Sequence, residues 1–248
     1  MDFSIQLYSG RNFPPIEGII ARSAALGYTR AEGFGGLYAD ADGLARALKA
    51  NGMTMPTGHF GIDQLEDTST ALKWAEQLGV KLIVCPWIAP DARGEDNATW
   101  TALGERLGEL GETYRKQGYR FGWHNHDFEF KPTREGRMPM DILMETAPGI
   151  DWEMDVAWVV RGGADPVAWL RKYGSRISAV HVKDIAPAGE AVDEGGWADV
   201  GHGTIDWNSL QREIKTHAKA DYWVMEHDNP SDFDRFARRS LEAARQWR

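Results

Sequence analysis

Short runs of β-branched and aromatic residues alternate along the chain with longer stretches whose apolar positions recur at helical spacing. Eight runs read as buried strands: residues 3–8, 28–34, 54–59, 81–86, 120–126, 152–156, 177–182 and 222–226. Their starts lie about 31 residues apart on average, room for one strand, one helix and two connections. The stretches between them carry helix boundaries. Pro15 opens the first and Gly27 follows its end, while Leu44, Ala47 and Leu48 form the stripe of the second, closed by Gly52. Leu65, Leu72, Ala75 and Leu78 make one stripe ahead of Gly79. Asp165-Pro166 joins an N-cap to a proline at the first helical position, ahead of Trp169, Leu170 and Tyr173. Asn229 or Ser231 starts the last helix, through Phe236, Leu241 and Ala244. Eight strand–helix units predict an α/β fold, a single (β/α)8 barrel domain over residues 1–248, with a doubly wound sheet as the competing arrangement. Segment 185–204, rich in Gly, Asp and Glu, is expected as a loop after the seventh strand, on the face where barrels place their chemistry.

Charge narrows the functional classes. With 28 Lys+Arg against 37 Asp+Glu the chain carries a formal charge of −9, which repels phosphate backbones and opposes nucleic-acid binding by a general basic surface. Cys85 is the lone cysteine, so an internal disulfide and a cysteine-based zinc knuckle are excluded. The opening MDFSIQLYSG has no basic segment followed by an apolar core, and no stretch approaches the roughly 18 apolar residues of a membrane span. These features together point to a reducing compartment, the cytoplasm, and to no membrane partner.

Candidate chemistry collects where barrel strands end. Of seven histidines, His59, His124, His126, His181 and His227 fall at predicted strand ends, and only His202 and His217 do not. His124, Asp155, His181 and Glu226 come from four consecutive strands, which brings one ligand per strand to a single divalent ion. Imidazole with carboxylate suits Mn2+, Zn2+, Fe2+ or Co2+ rather than an all-oxygen Mg2+ or Ca2+ shell. Residues two apart on a strand share a face, so either His124 or His126 can be the fifth strand's ligand, and Lys183 stands on the same side as His181. A lone strand-end histidine is as often a hydrogen-bonded core residue; four ligand-type residues on consecutive strands outweigh that reading. His59, Trp87, His126, Trp158 and Lys183 are the candidate substrate contacts, with Trp87 and Trp158 as walls for a sugar face. Glu129 and Asp184 are candidates for carboxylates that orient the ligands from behind. Glu32 and the pair His227-Asp228 are secondary candidates.

Several blocks match a known pattern. FGWHNHDFEF at the fifth strand, DWEMDVAWVVRGGADPVAWLRKYGSRISAVHVKDI across the sixth and seventh, GHGTIDW in the loop and VMEHDNP at the eighth resemble the sugar phosphate isomerase/epimerase family, the xylose isomerase-like group of (β/α)8 barrels. The resemblance runs from SIQLYS to the last helix, and HNHDFEF and VHVKD are its most specific parts. It implies one divalent metal ion, Mn2+ foremost and otherwise Zn2+, Co2+, Fe2+ or Mg2+, with Asp155, His181 and Glu226 at ligand positions. It also implies a keto sugar or related carbohydrate as small-molecule substrate. A homodimer or homotetramer is the assembly considered, and the sequence does not fix which. The expected chemistry is isomerisation or epimerisation by proton abstraction next to a carbonyl, through an enediolate. Glu226 or one of His124 and His126 would be the base, and Lys183 would hydrogen-bond or protonate a substrate oxygen. Ketose 3-epimerases of the family place a glutamate where His124 stands, and often a histidine where Trp158 stands. Those departures raise a lyase or dehydratase acting on a 3-keto-glycoside or an inosose-like ketone as the alternative. An endonuclease IV-like nuclease, opposed by the −9 charge, and a non-catalytic sugar-binding barrel are the remaining readings.

Overall fold

In the computed structural model, which describes residues 2–247, all eight hydrophobic runs become parallel strands of one closed barrel. They are β1 (Phe3–Gln6), β2 (Arg30–Phe34), β3 (Thr54–His59), β4 (Leu82–Cys85), β5 (Arg120–His124), β6 (Asp151–Asp155), β7 (Ile177–Val182) and, last around the circle, β10 (Tyr222–Met225). Strand β1 pairs with both β2 and β10, so no edge is left open. Segment 185–204 is more ordered than a loop: β8 (Asp184–Ile185) and β9 (Trp197–Ala198) pair antiparallel as a short hairpin.

The two-residue period of each strand feeds two separate cores. One set of side chains faces the helices and joins the main core, as Ile5, Phe121, Trp123, Trp152, Met154 and Val180 do. The other set faces the barrel axis, where Leu82, Val84 and Ala179, with Tyr222 against them, form a small apolar plug. Above that plug, towards the strands' C-terminal ends, the interior turns polar and charged. That change of character places the site.

The helices are α1 (Ile16–Leu26), α2 (Ala41–Ala50), α3 (Ile62–Glu66), α4 (Thr68–Leu78), α5 (Asn97–Lys116), α6 (Pro139–Thr146), α7 (Val156–Arg161), α8 (Pro166–Tyr173), α9 (Trp207–His217) and α10 (Phe233–Ala244). Gly27 ends α1 at φ 102°, the left-handed conformation that glycine adopts without penalty. Asp165 caps α8 with Pro166 behind it, as the sequence implies. Two boundaries differ. The stripe from Leu65 to Leu78 is split because Asp67 accepts a hydrogen bond from Thr70 N and begins α4 there. Helix α10 is capped by Asp232, which accepts from Arg235 N, not by Asn229 or Ser231; Ser231 binds Glu194 instead. Among the described residues, no helix is long and apolar enough to cross a membrane.

Candidate active site

His124 ends β5, Asp155 ends β6, His181 lies on β7 and Glu226 follows β10; neighbouring strands therefore deliver all four to one level of the barrel. Their ligand-type atoms lie within 4.8 Å of one another, and all four side chains are buried. His181 Nδ1 is 2.7 Å from Glu226 Oε2 and 3.9 Å from Asp155 Oδ2. Asp155 has a second task, accepting from Trp158 N at 2.9 Å and so starting α7. Asn125 pins it from the other side: its Oδ1 accepts from Asp155 N and from Trp152 Nε1, both at 2.9 Å.

Lys183 lies behind this set. Its ammonium donates to Asp228 Oδ1 at 2.7 Å, to Glu226 Oε2 at 3.1 Å and to Asp155 Oδ2 at 3.4 Å. The rings of Trp197 and Trp158 stand 4.5 and 5.1 Å from it. Burial alone would discharge the lysine, but Asp155, Asp228 and Glu226 overcome it and hold the ammonium above its usual range. Burial likewise works against Glu226, yet Lys183 and then His181 keep it ionised, well below the usual range. For Asp155 burial wins over Lys183, and its carboxyl is pushed up to about 6. His124 is driven the other way, by burial and then by His181, to about 3, so its ring is neutral.

Asp155, Glu226 and Asp228 face Lys183 and His181, and although burial opposes it, Glu153, Glu226 and Glu32 hold the His181 imidazole well above its ordinary range. The donors this cluster offers are imidazole nitrogens and carboxylate oxygens, a set that suits a single divalent ion of the Mn2+ or Zn2+ kind.

Below the ligand set lies a second group. Glu153, two residues before Asp155 and therefore on the same face of β6, is within 2.5 Å of His59 Nε2, 3.2 Å of His181 Nε2 and 3.3 Å of His124 Nδ1. Glu32 Oε1 accepts from Gln6 Nε2 at 2.8 Å and lies 2.7 Å from His181 Nε2. Burial works against ionising Glu153, but His181 and His59 hold it well below the usual range; Glu32, pushed up first by burial and then by Glu153, is raised.

Above the ligand set a cavity of about 690 Å3 opens to solvent, with His59, His124, His126 and Glu226 on its floor and Trp87 and Trp158 in its walls. Tyr8 and Phe34 complete the aromatic rim, packed edge to face at 5.2 Å. Trp87 is 43% exposed and Tyr8 38%, so the mouth presents bare aromatic surface. The His126 ring stacks on Phe128 and abuts Trp158, and its Nδ1 is buried without a protein partner. Burial and then His124 hold that imidazole well below its ordinary range, hence neutral.

The family model for the xylose isomerase-like TIM barrel matches residues 20–247. The chain belongs to that family. An inosose dehydratase from Geobacillus kaustophilus (strain HTA426) is 29% identical over 192 residues, 67% of this chain and 61% of that one. The chain thus spans about three fifths of that relative. A sugar phosphate isomerase/epimerase from Parabacteroides distasonis ATCC 8503 superposes with a TM-score of 0.81 at 20% identity, over 100% of this chain and 95% of the other. A probable 3-DHS dehydratase from Bacillus anthracis gives 0.79 at 14% identity, with complete coverage of both chains. At such identities these two likenesses show the barrel fold and nothing finer.

Within this family barrel, the residues singled out by sequence separate into groups. His124 joins Asp155, His181 and Glu226, while His126, past the end of β5, lines the cavity without belonging to that group. His59, Trp87, His126 and Trp158 all line the cavity; Lys183, 1% exposed, is screened from it by the carboxylates. Glu129 accepts from Trp123 Nε1 at 3.0 Å and His126 N at 2.9 Å, so it shapes the turn that carries His126. Asp184 accepts backbone N–H groups of Ile185, Gly201, Gly203 and Ile205 and organises the hairpin segment, a different place from the ligand cluster. His227 is buried against Glu194 at 3.2 Å. Glu153, Gln6 and Asn125 were not singled out by sequence; the two-residue period from Asp155 was the available signal for Glu153.

Proposed function

We propose that the protein is a divalent-metal-dependent lyase that dehydrates a small cyclic ketone of the keto-cyclitol or keto-sugar class, using Mn2+ or a related ion. The observation that carries this reading is the His126 imidazole, whose Nδ1 has no protein partner, facing the cavity beside a ligand set whose fifth-strand member is His124 rather than a glutamate. Epimerisation calls for a base on each face of the substrate; elimination needs only one. The inosose dehydratase name of the Geobacillus relative supports the same class of reaction.

His124, Asp155, His181 and Glu226 would hold the ion, which when bound polarises a carbonyl and offsets charge developing beside it. His126 takes the proton from the carbon next to the carbonyl. The electron pair left behind forms a carbon–carbon double bond as the β-carbon–oxygen bond breaks. The imidazolium of His126 then returns its proton to the departing oxygen, so one water leaves and the base is restored. Lys183 stays charged throughout, holding Asp155, Glu226 and Asp228 in register. Trp87 and Trp158 provide flat apolar faces for the ring's C–H surface.

A second reading, isomerisation through the same proton abstraction, draws on Glu226, an ionised carboxylate on the cavity floor that can deliver a proton from another direction. One experiment separates the two. The protein is incubated with 2-keto-myo-inositol and a panel of keto sugars in D2O, with added Mn2+ or with chelator. A conjugated enone absorbing in the ultraviolet, formed only with metal, supports dehydration. Deuterium in recovered or isomerised ketone without enone supports isomerisation. Neither product with any ketone rejects both.

A further inference from the structure

His181 is engaged at both ends of its ring. Nδ1 faces Glu226 and Asp155 in the upper set, and Nε2 faces Glu32 at 2.7 Å and Glu153 at 3.2 Å in the lower. A neutral imidazole carries one ring proton. If Nδ1 offers its lone pair to a cation, the proton sits on Nε2 and requires a buried acceptor. Glu32 supplies that acceptor, and its own orientation is fixed by Gln6 from the adjoining strand β1. Gln6, Glu32, Glu153 and His181 are each 0% exposed. His124 Nδ1 faces Glu153 Oε2 at 3.3 Å, a charge contact without hydrogen-bond geometry.

We propose that Glu32, held by Gln6, is a positioning residue that fixes the His181 proton on Nε2 and turns the Nδ1 lone pair toward the upper set, with Glu153 beside it facing His181 Nε2 at 3.2 Å. The inference rests on the metal reading given above and adds to it a support built by β1, β2 and β6. The lower group is not a second cation site on this account. Its atoms are already joined by hydrogen bonds of 2.5 to 2.8 Å, and an ion there would compete with the upper set for the shared rings His124 and His181.

The test measures metal binding directly. Protein stripped with chelator is titrated with Mn2+ while the free-ion EPR signal is followed. Wild type is expected to bind one ion, and Glu32→Gln to bind it about 10- to 100-fold more weakly. Gln6→Leu, which leaves the carboxylate in place, should weaken binding in the same direction by less, and it carries the test should Glu32→Gln fail to fold. Thermal unfolding of the metal-free proteins reports folding separately. In Zn2+-loaded protein with 15N-labelled histidine, the His181 proton is expected on Nε2, with its hydrogen-bonded resonance moving upfield in Glu32→Gln; loss of general stability would not produce that shift. Wild-type affinity in both variants, or a His181 proton on Nδ1, overturns the inference. Two ions bound by wild type and one by Glu153→Gln overturns it too, because Glu153 is then a ligand. A wild-type protein that binds no divalent ion sinks the metal reading itself, a result distinct from equal binding by wild type and variants.

Discussion

Glu153 and Asp155 stand two residues apart on β6, and both carboxylates point into the barrel, yet only Asp155 announces itself in the sequence. Asp155 sits where the apolar run stops, whereas Glu153 sits inside it, in WEMD, where a strand facing apolar core would be expected to carry no charge. It is tolerated because three imidazoles meet its carboxylate. His126 and His124 share the same two-residue relation, and there parity misleads: the strand ends at His124 and the chain turns. At this scale two substitutions are informative. His126→Gln is expected to lower kcat by about 10²- to 10⁴-fold, the usual worth of a general base, while Mn2+ affinity stays at the wild-type value; unchanged kcat on the identified ketone would remove His126 from the mechanism. Glu129→Ala leaves the Trp123 indole N–H and the His126 amide without their buried acceptor. At roughly 1–3 kcal/mol for each orphaned donor, unfolding in urea should show a loss of about 2–6 kcal/mol.

The elements follow local rules wherever a cap or a glycine is decisive, and depart from them where a side chain serves two neighbours. Asp155 closes β6 and opens α7, so the short helix Val156–Arg161 appears where a strand residue and a loop are expected. Asp67 splits one apolar stripe into α3 and α4 without disturbing the buried positions Leu65, Ala71, Ala75 and Leu78. Contacts between elements are tightest at Gly174, where a Cβ would lie 2.0 Å from the carbonyl oxygen of His217 at the end of α9. Both partners there are backbone, so neither can swing away. Gly174→Ala should therefore destabilise the protein by about 1–3 kcal/mol, the usual cost of overpacking, seen as a lower urea midpoint at unchanged slope.

Across the whole molecule the segment after β7 is fastened to α10 by charge. Arg235 grips Glu194 with two bonds of 2.8 Å, one to each carboxylate oxygen, and also reaches Asp199, while Arg239 donates to Asp199 at 2.8 Å. Although burial opposes it, Arg235 and Ser231 bring Glu194 down from 4.5 to about 2. A carboxylate whose value is lower in the folded chain binds fewer protons there than when unfolded, so its stabilisation is complete above pH 4.5 and disappears as the pH falls towards 2. Melting temperatures of Glu194→Gln should accordingly converge on those of wild type across that interval and lie below them at neutral pH; a constant offset from pH 2 to pH 7 would contradict the linkage. Metal should act on the molecule as a ligand of the folded state. Mn2+ at a hundredfold excess over its Kd is expected to add about 2.7 kcal/mol, and chelator to remove it, in a thermal melt.

The chain's own pattern determined the number and order of the barrel strands, the caps of α1 and α8, and the meeting of His124, Asp155, His181 and Glu226, because period and residue type are local and eight equivalent units close in only a few ways. Tertiary structure alone decided the rest. It set His126 apart from His124, moved Lys183 behind the carboxylates, and brought Gln6, Glu32 and His59 from the first three strands beneath His124, Asp155, His181 and Glu226 from the last four barrel strands. Those relations depend on barrel closure, which joins residues as far apart as Glu32 and His181 across the axis, and no local periodicity carries a distance of that kind.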